Sequence, residues 1–346
     1  MLGEGTNHGE GATTEFKAAL TKNLIESCGF NTVIFEASTY EFTDIHLRRR
    51  AGDVISSERL GAAVSGLWAN DRAFQPLLHF LSRELNAGRI TMAGLDDQLS
   101  GRGQAYANDE MIPELTEKLP SDFRNKCCVT FRKKIYGGFS ADDPYTEQTR
   151  LDLKSCLTAI QSAPQIRPDL PVADMTASID RWLSRDFLSS RTGNAMRDAS
   201  MYENYAAFHA RSEKPRKTII WGATVHFAKS TETISAFSEG PNFGELLISG
   251  SDETPYVLGF SASSGSIRMP GGAHRELMKA DSDSLEGKVF AQSDHDIIFV
   301  DSGQLQAFGE VKAAALHNKL ELKYWSDLMD GVVVFHEQRP SIVEVP

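Results

Sequence analysis

Glu4 and His8 sit on a glycine-rich stretch, Gly3-Glu4-Gly5-Thr6-Asn7-His8-Gly9, with a further glycine at 11. Glycines there let the backbone turn sharply and come close to a ligand. An imidazole with an unperturbed pKa near ~6.5 is suited to proton transfer at neutral pH, and a nearby carboxylate can orient it and stabilise its charged form. A capped glycine turn with no chemistry is the competing reading, and on this segment alone the two are evenly matched. Three later residues shift the balance. Glu36 ends an apolar run, where a carboxylate must be paired or protonated; an ion pair and a functional role both fit, and the functional one is favoured. His226 closes a second apolar run. Arg197 carries a planar fork that fits a carboxylate or an oxyanion; it could equally form a structural pair with its neighbour Asp198.

These groups need elements to hold them. Residues 13–28 place Phe16, Leu20, Leu24 and Ile25 on one helical face, with Gly29 as the stop. Lys17 lies near the start of that helix, against the helix dipole. Either an anionic partner explains it or it is simply solvated, which is the commoner case. Residues 31–37 and 89–94 read as buried strands, with the polar cluster Leu95-Asp96-Asp97-Gln98 just past the second. Between those strands, Arg48-Arg49-Arg50 reads as a solvated face. Residues 68–85 read as a helix with Phe74, Leu77, Leu78, Leu81 and Leu85 on one side. From about 101 to 192 the period is helical and prolines recur; a short strand at 128–131 is the alternative there. On the helix that follows, Arg197, Met201 and Asn204 share a side. Residues 218–226 give the clearest parallel strand, and further strands are expected at 256–260, 266–269, 296–301 and 331–336.

Alternating strands and helices imply an α/β fold: a mainly parallel central sheet flanked by helices, with an inserted helical subdomain. The expected division is 1–100 for the first half of the core, 101–195 for the insertion and 196–346 for the second half. Carboxylates and histidines at strand ends then gather where open α/β sheets keep their ligands.

The 346 residues are 41% hydrophobic and 24% charged, as in ordinary globular proteins. A net charge of −11 argues against broad contact with nucleic acid or anionic lipid. No apolar run is long enough to span a bilayer, and no signal peptide is visible. The four cysteines, Cys28, Cys127, Cys128 and Cys156, have no CxxC spacing. Reduced packing cysteines and a cytoplasmic location are the default reading. The chain opens at what reads as the end of a first strand, which leaves room for an upstream strand or leader.

Taken in order, several segments form a set: Gly3-Glu4…His8-Gly9, Phe35-Glu36-Ala37, Gly94-Leu95-Asp96, Arg197-Asp198-x-x-Met201-x-x-Asn204, Trp221…His226, Gly259-Phe260…Gly265-Ser266 and Ser284-Leu285-Glu286. This set resembles the erythromycin esterase family, which includes succinoglycan-biosynthesis-like proteins, over nearly the whole chain. The resemblance implies an α/β fold with a helical insertion and hydrolysis of a carboxylic ester or lactone, macrolides among them, by activated water. It implies His8 as general base, with Glu4 and Glu36 as the acidic residues of the first two motifs. Lys17 stands where the family usually has Arg. Of the two histidines that often follow the Trp strand, the second is kept as His226, while Ala223 takes the first position. One extra residue separates Glu4 from His8. These departures bear on the macrolide substrate more than on the reaction.

The expected catalytic residues are therefore His8, Glu4, Glu36 and His226, with Lys17, Asp96, Arg197 and Asn204 on the substrate. No cofactor and no metal are expected. The partner is a small-molecule ester or lactone. A metal-dependent hydrolase using the same His and Glu residues is the rival enzyme reading, ranked second because no HExxH or similar spacing exists. A ligand-binding member that has lost the reaction is the non-enzyme reading, favoured by Ala223 and Lys17.

Overall fold

The computed structural model of the chain describes residues 1–99, 101, 104–164, 167–211, 215–250 and 254–343. Residues 100 and 346, two of the expected domain limits, lie outside the described residues.

The fold is α/β. Strands β1 (Leu2–Glu4), β2 (Thr32–Ser38), β3 (Thr91–Asp96), β4 (Thr218–Ala223) and β5 (Leu258–Ala262) are parallel members of a seven-stranded sheet. Two more short strands, β6 (Ser266–Arg268) and β7 (His274–Glu276), form a separate antiparallel pair. Strand β8 (Ile297–Asp301) lies on the sheet edge, antiparallel to its neighbour; β9 (Glu310–Ala313) and β10 (Glu321–Tyr324) pair with each other, and β11 (Gly331–Phe335) completes the sheet. The order across the sheet is β3-β2-β4-β1-β5-β11-β8. Adjacent residues of a strand face opposite sides, and the core divides accordingly. Ile34, Ile220, Val332 and Val334 belong to one apolar cluster; Val33, Phe35, Ile219, Trp221 and Val333 belong to the other.

Helix α1 (Gly11–Cys28) ends on Gly29 in the left-handed region (φ 72°), whose N–H bonds to Leu24 O. Phe16, Leu20, Leu24 and Ile25 pack against the apolar core and are partly buried, as expected, while Ala12, Thr13, Thr14, Lys17, Ala18 and Thr21 on the same helix are more fully enclosed.

Helices α2 (Thr39–Arg50), α3 (Ser57–Val64), the single turn α4 (Gly66–Ala69) and α5 (Gln75–Asn86) separate β2 from β3. Between β3 and β4 run α6 (Met111–Leu115), α7 (Ser121–Ile135), α8 (Glu147–Ser162), α9 (Val172–Ser184) and α10 (Ser190–Ala210). Many of these helical residues share an apolar cluster of their own, which includes Phe131, Leu153, Leu157 and Ile179. Residues 128–131 are helical, not a strand. The last helices are α11 (Thr224–Phe227), α12 (Phe243–Gly250), α13 (Leu285–Phe290) and α14 (Ser302–Phe308). Among the described residues no helix is long and apolar enough to cross a membrane.

The expectation that all four cysteines are reduced is corrected. Cys127 on α7 and Cys156 on α8 form a disulfide with a Cα–Cα distance of 5.8 Å. Sequence spacing gave no sign of it, because helix packing brings the two together across 29 residues.

Candidate active site

The register of the sheet assembles the site. Glu4 pairs with Ala223, and Phe35 pairs with Trp221, so Glu4, Glu36 and the end of β4 lie side by side at the carboxyl ends of β1, β2 and β4. Gly222 makes the close approach feasible: a Cβ there would lie 2.8 Å from both Cβ and Oε2 of Glu36. Asp96 ends β3 in the same layer. His226 is not on the strand, as expected, but on the helical turn α11 that follows it.

Glu4 is nearly inaccessible, at 1% exposure, and receives three donors. His8 Nδ1–H reaches Oε1 at 2.7 Å, Lys17 Nζ reaches Oε2 at 2.7 Å, and Trp68 Nε1–H also donates to Oε1. Burial pushes the Glu4 carboxyl up, but the Lys17 ammonium and the His8 bond outweigh it and hold the group below its usual value. Burial pulls the other way on His8, lowering it. The Glu4 bond and charge, with Glu36 and Glu10 behind them, overcome this and raise it. His8 itself adopts φ 51°, a left-handed conformation costly for a residue with a Cβ. That backbone turn aims the Nδ1 edge at Glu4. Among the described residues Nε2 takes no hydrogen bond.

Lys17 was expected to meet substrate, and that expectation is corrected. The side chain is fully enclosed, its ammonium bonded to Glu4 and lying 4.2 Å from the centroid of the Trp221 ring. The anionic partner that its place near the helix start called for is Glu4. Burial lowers the Lys17 pKa, and the nearby carboxylates only partly oppose this.

The second group centres on Glu36 and His226. Arg197 on α10 spans Asp96 and Glu36, with Nη2 at 2.7 and 2.9 Å from their oxygens. Among the described residues it makes no hydrogen bond to Asp198, so of the two readings left open the neighbour pair is not the one formed. Asp198 instead receives His226 Nδ1–H at 2.8 Å and the backbone N–H of Phe243 at 2.9 Å. Glu36 Oε2 accepts the Ala223 N–H at 2.8 Å. His226 Nε2 lies 3.1 Å from Arg197 Nη1 and 3.3 Å from Glu36 Oε1. Both cannot be hydrogen bonds in one protonation state, because the first needs a lone pair and the second a proton. Burial lowers the His226 pKa, but carboxylates on both edges, Asp198 and Glu36, raise it to about 10. The imidazolium, donating to Asp198 and Glu36, is therefore the state at neutral pH. Glu36, in turn, is raised by burial but held well below its ordinary value by His226 and Arg197.

The two groups feel each other's charge, since Glu36 raises His8 and His8 lowers Glu36. Both imidazoles reach the surface, with side chains 11% and 10% exposed, so neither is sealed beneath hydrocarbon. Asn204 does not join them among the described residues. Its amide donates to Leu95 O at 2.8 Å and accepts from Arg181 at 2.7 Å, which fastens α10 to β3 and α9. It also lines a separate polar cavity of about 240 Å³ between α2, α9 and α10.

Sequence reasoning missed Trp68, Glu10, Asp198 as the partner of His226, and Arg185. Arg185 grips Asp97 with both terminal nitrogens, at 2.6 and 2.5 Å. Glu10 is buried beside the His8 turn; Oε1 accepts from Asn318, while Oε2 has no partner among the described residues. Burial and the neighbouring Glu4 raise its pKa to about 7. The adjacency Asp96-Asp97 was the available signal for two separate arginine clamps; nothing in the local sequence pointed to Trp68.

A model of the erythromycin esterase family matches residues 25–337. Three solved structures share the fold. One is a protein from Bacillus cereus, 16% identical, covering 99% of this chain and 90% of that one with a TM-score of 0.71. Another is described as a succinoglycan biosynthesis protein, 14% identical, covering 99% and 88%, TM-score 0.74. The third is a histidine-to-asparagine variant of the erythromycin esterase EreC in its open conformation, 14% identical, covering 99% and 92%, TM-score 0.69. None of the curated proteins matches the chain.

Proposed function

Because this chain belongs to the erythromycin esterase family, which supports a hydrolase-type function, we propose that it cleaves a carboxylic ester or lactone with water activated by His8. The observation that carries the reading is the His8–Glu4 bond of 2.7 Å, with Nε2 left unengaged among the described residues. Glu4 fixes the tautomer, so Nε2 is the nitrogen that takes a proton. Water loses that proton to Nε2 as its oxygen bonds the carbonyl carbon. Negative charge moves to the carbonyl oxygen, where the His226 imidazolium and Arg197 supply positive charge; one well-placed donor is worth roughly 3–4 kcal/mol. Collapse expels the alkoxide, which takes the proton back from His8 and leaves as the alcohol. Residues 101–195 serve as the inserted subdomain that shapes the substrate space, and Asp96 acts through Arg197.

The metal-dependent alternative has less support. Among the described residues no three His, Cys, Asp or Glu side chains are gathered as an ion would require. The inactive-binder alternative rests on Ala223 and Lys17, yet Lys17 keeps a positive partner on Glu4.

Steady-state hydrolysis of a panel of esters, lactones and macrolides by wild type and His8→Ala tests the reading. Loss of a general base lowers the rate by about 10²–10⁴-fold. Equal rates for the two proteins would remove His8 from the chemistry.

A further inference from the structure

Glu4 Oε1 accepts two bonds at once, one from His8 Nδ1–H and one from the indole N–H of Trp68. The Trp68 ring also stands edge-to-face against the imidazole of His8, with centroids 5.0 Å apart and planes at 77°. The indole is 1% exposed and packed against Phe35, so its orientation is set by the core. Trp68 reaches this place from α4, a single turn launched by Ser65, whose φ of 90° is left-handed. Among the described residues of the first hundred, the two non-glycine residues in positive φ are His8 and Ser65. Each begins or forms the turn that delivers one member of this contact. Strained backbone persists where the surroundings demand a particular geometry.

We propose that Trp68 is a positioning residue for the proton-accepting imidazole: its N–H shares the carboxylate oxygen that holds His8, and its ring fixes the tilt of the imidazole. The inference rests on the proposed role of His8 but concerns a geometry that can be read without turnover. Sharing Oε1 with the indole draws electron density from the bond to His8, so Glu4 holds the imidazolium less tightly than it would alone. Lys17 sits on the other oxygen and leaves this contact to Trp68.

Trp68→Phe keeps an aromatic ring and removes the N–H. With Oε1 released to His8 alone, the His8 pKa rises, by about one pH unit for the loss of one hydrogen bond to a carboxylate. The primary measurement is the NMR titration of the His8 ring in folded wild type and folded Trp68→Phe, with His8→Ala used to assign the signal. The second is the pH profile of kcat/KM on whichever ester the enzyme turns over; the acid limb moves upward with the titration, and kcat falls about tenfold with KM little changed. Trp68→His, which restores a ring N–H, returns both readouts toward wild type. An unchanged or lowered His8 pKa in folded Trp68→Phe overturns the inference, as does a rate loss that is uniform across pH. If Trp68→Phe fails to fold, Trp68→Leu, which also lacks the N–H, is titrated in its place: a His8 pKa raised above wild type supports the inference, and an unchanged or lowered one overturns it. If His8→Ala hydrolyses the panel normally while the titration still shifts, the positioning holds and the proposed function fails.

Discussion

Glu10→Gln turns a buried carboxyl into a direct thermodynamic probe of the site. Glu10 is 2% exposed, its Oε1 accepts from Asn318, and its Oε2 has no partner among the described residues. Burial, with Glu4 adding repulsion, raises its pKa from 4.5 to about 7. A group whose pKa rises on folding stabilises the fold while protonated. That contribution is fully present below pH 4.5 and is lost as pH climbs through about 7. At ~1.4 kcal/mol for each pH unit, the interval from 4.5 to about 7 is worth roughly 3 kcal/mol. Glutamine keeps the acceptor for Asn318 and carries no charge, so the variant does not share the loss. The assay is urea unfolding of both proteins at pH 5 and pH 8. Costs that do not depend on pH cancel in the difference between the two pH values. The variant should gain about 2–3 kcal/mol on wild type between pH 5 and pH 8. A gap between the proteins that stays constant with pH would show that Glu10 is already ionised in the fold, and the electrostatic description of this site would be wrong.

Lys17→Met leaves the Glu4 carboxylate buried without its charge partner; breaking such a pair costs about 3–5 kcal/mol, read as a lowered urea midpoint. Gly222→Ala puts a methyl 2.8 Å from the Glu36 side chain, so Glu36 and its Arg197 contact must shift; hydrolysis drops by up to ~10²-fold while the far-ultraviolet circular dichroism stays native. Cys127→Ser removes a crosslink closing a separation of 29 residues, worth roughly 3–4 kcal/mol by loop-closure entropy, and adding a reductant to wild type lowers its melting temperature by a matching amount.

The sheet was legible because its central strands hold short apolar runs bounded by polar residues. Residues 33–35 run up to Glu36, 219–221 lead through Gly222-Ala223 into the turn that carries His226, and 332–335 stop at His336. The apolar face of α1 was legible, but periodicity marks large apolar side chains and so passed over the enclosed Thr13, Thr14, Lys17 and Thr21. Lys17 looked solvated until Glu4, thirteen residues away in sequence, came within 2.7 Å. The Cys127–Cys156 disulfide depends on how α7 meets α8, which no local pattern encodes. Trp68 was hidden for the same reason: an indole on a short turn reads as core, and only the tertiary contact reveals the N–H aimed at Glu4. Arg197 and Asp198 are neighbours in sequence, yet they serve different partners because a helix sends consecutive side chains in different directions.

The pH dependence of kcat/KM on a cleaved ester or lactone bears most directly on His8 as base. Glu4 raises the His8 pKa above its ordinary 6.5 in the fold, and only the neutral imidazole accepts a proton from water. The rate should therefore fall as pH drops through a value above 6.5, and His8→Asn should abolish that limb together with most of the activity. A limb near pH 4.5, or a His8→Asn enzyme with the wild-type profile, would assign the water's proton to a group other than His8.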